Sequence, residues 1–403
     1  MTTTNGKQPN DAVILSGART PIGKFMGALA SVPAPQLGAA AIKAALERAR
    51  VDPAQLDEVL MGQVVAAGSG QSPARQAGIR AGVPAEVGAF SVNKACGSGL
   101  KAVMLAAQAI RAGDAALLAA GGMESMSGAP YLLPKAREGL RFGHQTVLDS
   151  VVTDALWCSL EEWRMGDAAE WIANEYEVTR EAMDRFALES HRKAVAAAAA
   201  GKFKDEIVPV EVRVGKKVAT VTEDEGPRPD TSLEILAGLK PAFQPEGKVT
   251  AGNAPGLNDG AAALVLASRE YAASIKAAPL ARVVGYTSAA VDPQALFIAP
   301  AIAIPKLLDR IGWTLAEVDL IELNEAFAAQ VLADGYALAE RGWDWGKVNV
   351  HGGAIALGHP VGASGARVLV TLLHALRDRG LRRGLAALCL GGGEAVALAV
   401  EME

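Results

Sequence analysis

Short apolar segments alternate with longer amphipathic segments along the first part of the chain. Four apolar segments have the length and composition of strands: AVILSGAR (12–19), EVLMGQVV (58–65), GAFSVNKA (88–95) and AALLAAGG (115–122). Two segments between them have the apolar spacing of helices: QLGAAAIKAALERAR (36–50) and SGLKAVMLAAQAIRAG (98–113). Strands that alternate with helices in this way predict an α/β fold.

The pattern changes after Ser125. The stretch that follows contains many charged residues, the proline-rich segment DEGPRPDT (224–231) and a long helix predicted from a Thr179 cap to Gly201. Strand character resumes with NDGAAALVLAS (258–268). We therefore expect this division of the chain: a first half at 1–125 that returns at 256–281, an inserted loop domain at 126–255, and a second half at 282–403.

An internal repeat connects the two halves. VNKACGSGLKAV (92–103) resembles VGASGARVLV (361–370), and three residues of the first segment align with three of the second: Ser98, Gly99 and Lys101 with Ser364, Gly365 and Arg367. Each segment leads into a helix and then a buried strand that ends in glycines. We interpret these as two copies of one α/β unit. Duplication predicts that the two sets of strand-end loops meet near a shared axis.

Composition limits the classes of partner and the cellular compartment that suit this chain. A chain of 403 residues exceeds what one hydrophobic core normally organises, and a formal net charge of -5 argues against nucleic acid or an anionic membrane as the main partner. The three cysteines cannot form a disulfide framework and suit a reducing cytoplasm. The first ten residues are polar, which suggests a frayed terminus, and no later apolar run is long enough to span a bilayer. We expect a cytoplasmic protein.

Cys96 lies where a strand passes into a helix. The unpaired N–H groups and positive dipole end of a helix N-terminus favour a thiolate there, and the thiolate is the nucleophile. Three C-terminal segments carry further chemistry: LIELNEAFAAQ (320–330) with Asn324 and Glu325, HGGAIALGHPVGASG (351–365) with His359, and LCLGGG (388–393) with Cys389. Taken singly, each also has a structural explanation, such as a helix cap, a glycine turn, a packed His351 or a core cysteine.

Together these residues fit nucleophilic acyl transfer. That reaction needs a thiolate, a base that generates it, a second acid/base group and N–H donors for the oxyanion. Cys96, His359, Cys389 and the glycine amides supply all four. A zinc site is less well supported, because His351 and His359 lack a Cys-x-x-Cys set. A dinucleotide site is also less well supported, because no G-x-G-x-x-G opens a helix after a strand.

The chain resembles the thiolase family from about residue 11 to the C-terminus. The motifs that carry the resemblance occur in the family's order: VILSGARTPIGKF, NKACGSGLKA, GGMESMS (121–127), TAGNAPGLNDGAA (250–262), NEAFAAQ, GGAIALGHPVGASGAR and CLGGG. The resemblance implies the thiolase fold, in which two α/β/α halves form a five-layer α/β/α/β/α core and the first half carries an inserted loop domain. It also implies a homodimer or homotetramer, acyl-CoA and CoA as partners, and no cofactor or metal.

The resemblance assigns roles to the catalytic candidates. Cys96 corresponds to the nucleophile that accepts the acyl group from acyl-CoA. His359 corresponds to the residue that activates it and that, with Asn324 acting through a water, stabilises the oxyanion of the second thioester. Cys389 corresponds to the acid/base that removes or returns an α-proton. The amides of Cys96 and Gly391 correspond to the donors to the acyl-enzyme oxygen, so the implied mechanism is a reversible ping-pong Claisen condensation.

The resemblance also implies a set of substrate contacts. Arg228 corresponds to an arginine against the adenine of CoA, and the basic segment KAREGLRFG (135–143) lies in relatives near subunit contacts. The remaining implied contacts to the acyl and pantetheine groups are Pro255, Met165, Arg164, Leu296, Phe297 and Phe327.

The chain departs from the family pattern in four places. Pro255 replaces a common serine, Arg164 replaces a common histidine, and Ala395 replaces a glycine after CLGGGE. The loop LFIAP (296–300) replaces a common M-G-x-G-P, with Phe297 and Ala299 where glycines are usual. These departures leave the acyl-chain preference open, so a thiolase for longer or unusual 3-ketoacyl-CoA is one alternative. A non-catalytic acyl-CoA or lipid carrier would be expected to lose a catalytic residue, and a ketoacyl synthase would be expected to lack Cys389.

Overall fold

Strands and helices alternate in both halves of the chain. The computed structural model describes residues 8–403, apart from the side chain of Val214. Residues 1–7 of the predicted frayed terminus lie outside the described residues. The strands are β1 (Ala12–Arg19), β2 (Gly23–Lys24), β3 (Glu58–Gly62), β4 (Gly88–Val92), β5 (Leu117–Ser125), β6 (Tyr131–Leu132), β7 (Leu148–Asp149), β8 (Trp157–Cys158), β9 (Trp163–Arg164), β10 (Val210–Val214), β11 (Lys217–Val221), β12 (Asn258–Ser268), β13 (Ala281–Ala290), β14 (Leu320–Leu323), β15 (Arg383–Leu390) and β16 (Glu394–Met402). The helices are α1 (Ala34–Ala49), α2 (Pro73–Arg80), α3 (Ser98–Ala112), α4 (Met165–Glu175), α5 (Arg180–Ala199), α6 (Leu233–Ala237), α7 (Arg269–Ser274), α8 (Ala299–Ile311), α9 (Ala328–Ala337), α10 (Ala354–Leu357) and α11 (Val361–Arg379).

The sheet topology repeats once. The first half has the strand order β4-β3-β5-β12-β1 and the second half has β14-β15-β16-β13, joined where β1 pairs briefly with β13. In both halves a parallel pair, β3 with β5 or β14 with β15, is followed by two antiparallel pairs. The first half differs by its additional edge strand β4. The duplication predicted from the repeat is therefore confirmed at the level of topology.

The two halves stack as five layers. Helices α1 and α2 cover the outer face of the first half's strands, and α8 and α9 cover the outer face of the second half's strands. Between the two sets of strands, α3 and α11 form the central layer, and their apolar side chains share one buried cluster with strands of both halves. Because α3 and α11 are the helices of the internal repeat, the loops that precede them meet at the centre of the molecule.

The central helices approach each other through the glycines of the repeat. A Cβ on Gly99 of α3 would lie 2.8 Å from the backbone nitrogen of Ala366, and a Cβ on Gly365 of α11 would lie 2.4 Å from that of Leu100. Neither distance is tolerated by a real side chain without a backbone shift. Glycine at both positions therefore allows the close crossing that brings the N-termini of α3 and α11 together.

A buried ion cluster connects β1 to the segment before β12. The Arg19 guanidinium donates to Glu206 at 2.6 Å and to both carboxylate oxygens of Asp224 at 2.7 and 2.8 Å, and all three side chains are buried. A bidentate guanidinium–carboxylate pair fixes orientation as well as distance. The segment after β5 is thus anchored to the core at the end of β1, next to Ala262 of β12.

Candidate active site

Cys96, His359 and Cys389 line one cavity of about 280 Å³. Cys96 precedes α3, His359 precedes α11, and Cys389 lies in β15, so the two copies of the repeat both contribute. Gly391, in the turn between β15 and β16, lines the cavity as well. The predicted convergence of the strand-end loops therefore holds for these four residues. The other lining residues are mostly apolar: Met126, Val152, Ala155, Leu156, Arg164, Met165, Gly166, Phe243, Ala254, Pro255, Gly256, Leu257, Leu296, Phe297, Ala326, Phe327, Val361 and Leu390.

A tight turn presents the Cys96 thiol to the cavity. Ala95 has a φ of 45°, in the left-handed region that residues other than glycine seldom adopt. The turn is held by the Ser98 hydroxyl, which donates to the Ala95 carbonyl at 2.6 Å and accepts the Lys94 N–H at 2.8 Å. A Cβ on Gly97 would lie 2.4 Å from a Leu390 methyl carbon, so glycine there lets the turn pack against the end of β15.

The thiol of Cys96 is neutral in the free protein. Burial raises its pKa to about 11, although the backbone N–H groups of Gly391 and of Cys96 itself donate to the sulfur and act in the opposite direction. The expectation that the start of the helix favours a resting thiolate is therefore wrong, because desolvation outweighs the N–H donors. Cys96 needs a base, and the two donors already point to the atom where acyl chemistry would occur.

His359 is held with a free lone pair on Nε2. Its Nδ1 lies 2.6 Å from the Ser364 hydroxyl, and that hydroxyl donates to the Pro360 carbonyl at 3.0 Å. When the single hydroxyl proton is donated to the Pro360 carbonyl, the hydroxyl accepts from Nδ1–H, and in this tautomer the opposite ring nitrogen is unprotonated. Burial, followed by the charge of Arg367, lowers the pKa of His359 to about 3. The imidazole is thus a neutral base, and Nε2 has no hydrogen-bond partner within the described residues.

Cys389 is the second thiol of the cavity. It is buried in β15 opposite Ala395 of β16, the residue that replaces a family glycine. Burial, the nearby Cys96 and the nearby Asp334 raise the pKa of Cys389 well above its usual range. Its resting form is a proton donor, and once deprotonated it would be a strong base.

Asn324 and Arg228 lie apart from the other candidates. Asn324 follows β14, is fully buried and is not one of the lining residues, although Ala326 and Phe327 just after it are. Neither its amide nitrogen nor its amide oxygen has a hydrogen-bond partner in the described part of the chain. Buried amides are normally paired, so this one is available to a water or substrate oxygen. Arg228 is exposed and outside the cavity.

The predicted acyl and pantetheine contacts all line the cavity. Leu296 and Phe297 come from the 3-10 helix Pro293–Ile298 just before α8, Phe327 caps α9, and Pro255 precedes β12. Arg164 lies next to Met165 at the start of α4 and is partly exposed. Its guanidinium pairs with both oxygens of the Asp167 carboxylate, at 2.7 and 2.9 Å, and donates to the Phe243 carbonyl. Its charge is thereby balanced within the protein.

The sequence analysis missed several residues of the site. Phe243, Leu156 and Val152 line the cavity from the segment between β5 and β12, where no motif marked them. Ser364 was noted only as a repeat match, and its contact with His359 follows from the position of that match on the first turn of α11. In the described residues we find no cluster of three or more side chains suited to a metal ion and no helix long and apolar enough to cross a membrane.

The layered fold and the two-thiol cavity with a neutral imidazole define an enzyme of acyl transfer through cysteine. The sequence profile of the thiolase N-terminal domain matches residues 12–270, and that of the thiolase C-terminal domain matches residues 277–402. The chain therefore belongs to the thiolase family.

Full-length relatives agree with this assignment. The acetyl-CoA acetyltransferase of Cupriavidus necator is 56% identical over 97% of this chain and 99% of its own length, and that of Pseudomonas aeruginosa is 54% identical over 96% and 98%. The crystal structure of the Bacillus anthracis acetyl-CoA acetyltransferase superposes with a TM-score of 0.95 at 44% identity, covering 98% of this chain and 99% of that one. The acetyl-CoA acetyltransferase from Syntrophomonas wolfei gives 0.96 at 43%, covering 98% and 100%. The protein is an enzyme of the thiolase class.

Proposed function

We propose that this thiolase is an acetyl-CoA acetyltransferase, which condenses two acetyl-CoA reversibly to acetoacetyl-CoA and CoA. The names of the full-length relatives support the substrate. The observation that carries the proposal is the arrangement around Cys96: its sulfur receives two backbone N–H groups and shares a cavity with the neutral His359 and with Cys389. Coenzyme A thioesters are the substrates, and the proposed reaction uses no other cofactor.

Acylation begins at Cys96. His359 Nε2 takes the thiol proton as the sulfur attacks the thioester carbonyl, and the carbonyl oxygen becomes an oxyanion that accepts the N–H groups of Cys96 and Gly391. The carbon–sulfur bond to CoA then breaks, and the proton on His359 passes to the CoA thiolate. The donors and the base are held in place before substrate binds, so little reorganisation is needed during the step.

Condensation uses Cys389 on a second acetyl-CoA. His359 Nε2 takes the thiol proton of Cys389, and the resulting Cys389 thiolate removes an α-proton from the second acetyl-CoA. The enolate oxygen then accepts the new Nε2–H of His359 and a hydrogen bond from a water held by Asn324. The enolate carbon attacks the acyl carbonyl on Cys96, the Cys96–carbon bond breaks to release acetoacetyl-CoA, and the Cys96 thiolate takes the proton back from His359. In the reverse direction, the raised pKa of Cys389 keeps it as the thiol that returns a proton to the departing enolate. One cavity thus serves both directions.

Acetylation of Cys96 is the direct test of the proposal. Acetyl-CoA alone should add one acetyl group to the peptide that contains Cys96, as measured by mass spectrometry. Cys96→Ser should lose the adduct and nearly all turnover, whereas Cys158→Ser, at a free buried cysteine outside the cavity, should keep both. An acetyl group found only at another residue would contradict the assignment.

The CoA surface and the assembly are further parts of this proposal. Arg228 is exposed, as an arginine that stacks on adenine would be before CoA binds. Lys135, Arg137 and Arg141 are exposed beside Leu140 and Phe142, which supports a subunit or CoA contact for the segment 135–143. A homodimer or homotetramer is supported by the edge strand β4, which pairs with β3 alone among the described residues.

The division into domains and the cytoplasmic location also remain proposals. The end of β5 at Ser125 and the start of β12 at Asn258 support an inserted loop domain at 126–255, with the first half returning at 256–281 and the second half at 282–403. The three free cysteines support a reducing compartment.

A further inference from the structure

An ion pair connects the two loops that supply the N–H donors to Cys96. Lys94 Nζ lies 2.6 Å from Glu394 Oε2, although the two residues are 300 positions apart in the chain. The pair is partly buried, with exposed side-chain fractions of 23% for Lys94 and 37% for Glu394. Lys94 belongs to the first half of the duplicated core and Glu394 to the second.

Each residue of the pair belongs to a loop that carries one of the two N–H donors. The Lys94 carbonyl accepts the Gly97 N–H at 3.1 Å and its own N–H donates to Ser98, so Lys94 belongs to the turn that holds Cys96. Glu394 is the first residue of β16 and pairs with Leu390, the last residue of β15. Three glycines, Gly391 to Gly393, close the hairpin between them.

The hairpin turn is held to Val291 by a backbone hydrogen bond, from the Val291 N–H to the Gly393 carbonyl at 2.7 Å, but residues 391–393 offer no side chain of their own to the Cys96 turn. Its glycines have no side chains, and two of them, Gly392 and Gly393, have φ near +90°. Even a Cβ added to Gly391 would lie 3.8 Å from the Ala95 Cβ, which is ordinary contact. The distance between the Gly391 and Cys96 N–H groups therefore depends on how the two loops are held together, and the Lys94–Glu394 pair spans them.

We propose that Lys94 and Glu394 form a positioning pair that keeps the Gly391 and Cys96 N–H groups converged on the oxyanion. The proposal rests on the function proposed above. Neither side chain lines the cavity, so the pair acts through the loops and not on substrate. Loosening it should lower the rate of acyl transfer, because an oxyanion donor contributes only when it is aligned in advance.

The test compares Glu394→Gln and Lys94→Met with the charge exchange Lys94→Glu plus Glu394→Lys. The first acylation step is followed by the burst of CoA released from acetyl-CoA. Each single variant should lose about tenfold in the maximal acylation rate while KM stays within about twofold, a fraction of the loss for a missing oxyanion donor. The charge exchange should recover most of the rate, because it restores an attraction between the loops.

Asp378→Asn is the matched control. It breaks the Lys202–Asp378 pair, which has a similar length of 2.8 Å and exposed fractions of 37% and 39% but does not border the cavity. It should leave acylation unchanged. Iodoacetamide alkylation of Cys96 measures the part of the effect that acts on the thiol itself, because the same N–H groups also donate to the sulfur. Alkylation involves no oxyanion, so it should slow much less than acylation in the single variants.

Three results would overturn the positioning role: single variants no slower than Asp378→Asn, alkylation that falls in parallel with acylation, or a charge exchange that recovers nothing. Failure of the proposed function is recognised separately, because wild-type protein would then form no acetyl adduct on Cys96 at all.

Discussion

At the scale of single residues, the two thiols of the cavity differ in what surrounds them. The Cys96 sulfur receives the backbone N–H groups of Cys96 and Gly391, whereas burial, Cys96 and Asp334 raise the pKa of Cys389 well above its usual range despite the N–H of Cys389 itself. A thiolate that N–H groups stabilise, as at Cys96, is suited to be the nucleophile, and a poorly stabilised thiolate, as at Cys389, is a strong base. We therefore predict that Cys389→Ser still acetylates Cys96 but loses condensation and thiolysis by several orders of magnitude more than acylation.

Rapid-quench mass spectrometry and steady-state turnover measure these two effects. Cys158→Ser again serves as the control for loss of a buried thiol. Equal loss of acylation and condensation in Cys389→Ser would assign Cys389 to packing within β15.

The shifted pKa of His359 makes a second prediction at this scale. The neutral imidazole is the base, and this neutral form is lost to protonation only as the pH falls through a pKa of about 3. The Cys96 thiol ionises only near a pKa of about 11. Neither group changes state between pH 5 and 8, so kcat/KM for acylation should be nearly flat over that range. A histidine at the ordinary value of about 6.5 would lose roughly 30-fold between pH 8 and pH 5.

Single-turnover CoA release at low acetyl-CoA measures this profile in the free enzyme. Cys96→Ser has almost no turnover, so its pH profile cannot assign a midpoint between pH 6 and 7 to His359. The assignment is instead checked by NMR titration of the His359 imidazole in that variant. An imidazole that titrates near pH 6.5 would contradict the buried neutral base.

Sequence reasoning from local motifs was sufficient to select residues that the structure brings together in one cavity. Cys96 lies at a strand–helix junction, His359 lies between α10 and α11, Cys389 lies near the end of β15, and one cavity contains all three. It failed for Phe243 and for the pair of Lys94 with Glu394, because their contacts depend on segments far apart in the chain. It was also wrong about the resting charge of Cys96, because the depth of burial of a thiol cannot be read from its neighbours in sequence.

At the scale of elements, an aromatic wall from three segments bounds the cavity. Phe297 comes from the 3-10 helix before α8, Phe327 from the start of α9, and Phe243 from the loop between α6 and β12. The Phe297 and Phe327 rings lie 5.4 Å apart and the Phe243 and Phe327 rings 6.3 Å apart, both edge to face. The Phe297 side chain is 3% exposed, so the ring fills space beside the cavity and does not point to solvent.

This wall predicts a short-chain preference. Phe297→Ala should open space next to Phe327 and raise kcat/KM for 3-ketohexanoyl-CoA and longer substrates relative to acetoacetyl-CoA, each additional buried methylene contributing about 0.8 kcal/mol. Thiolysis rates across a chain-length series measure the ratio, which is insensitive to partial loss of folded protein. An unchanged ratio would show that the Phe297 ring does not limit the acyl group.

Element boundaries followed from the sequence where local signals were strong. The strand predicted at 258–268 is β12, and the helix predicted after the Thr179 cap is α5, with the Thr179 hydroxyl accepting the Ala182 N–H. The strand predicted at 88–95 ends at Val92 instead, because Asn93 to Cys96 form the turn with the left-handed Ala95. That turn depends on contacts with Ser98 and β15, which the strand pattern alone does not contain.

At the scale of the whole molecule, the duplication gives each half one serine that holds a catalytic loop. Ser98 on the first turn of α3 bonds the Cys96 turn, and Ser364 on the first turn of α11 bonds His359. The matched glycines Gly99 and Gly365 then bring these two turns together at the helix crossing. Cys96 and His359 thus lie just before equivalent helices of the two copies of one unit, although Cys96 precedes its serine by two residues and His359 precedes its serine by five.

The sheet that carries this unit ends at an unpaired edge. Strand β4 pairs with β3 on one side only within residues 8–403, and Phe90 of β4 and Ile79 of the adjacent α2 are large apolar side chains exposed to solvent. An open, apolar edge strand tends to pair with another chain, and two-fold symmetry lets the same strand of a second copy fill the position.

We predict that the protein has at least twice its chain mass of 41.5 kDa in light scattering. Phe90→Lys should shift it toward the monomer, whereas Ile302→Lys, at a similarly exposed apolar residue of α8, should not. A stable, active wild-type monomer would contradict the prediction, and an Ile302→Lys variant that dissociates as readily as Phe90→Lys would show that the contact is not centred on β4.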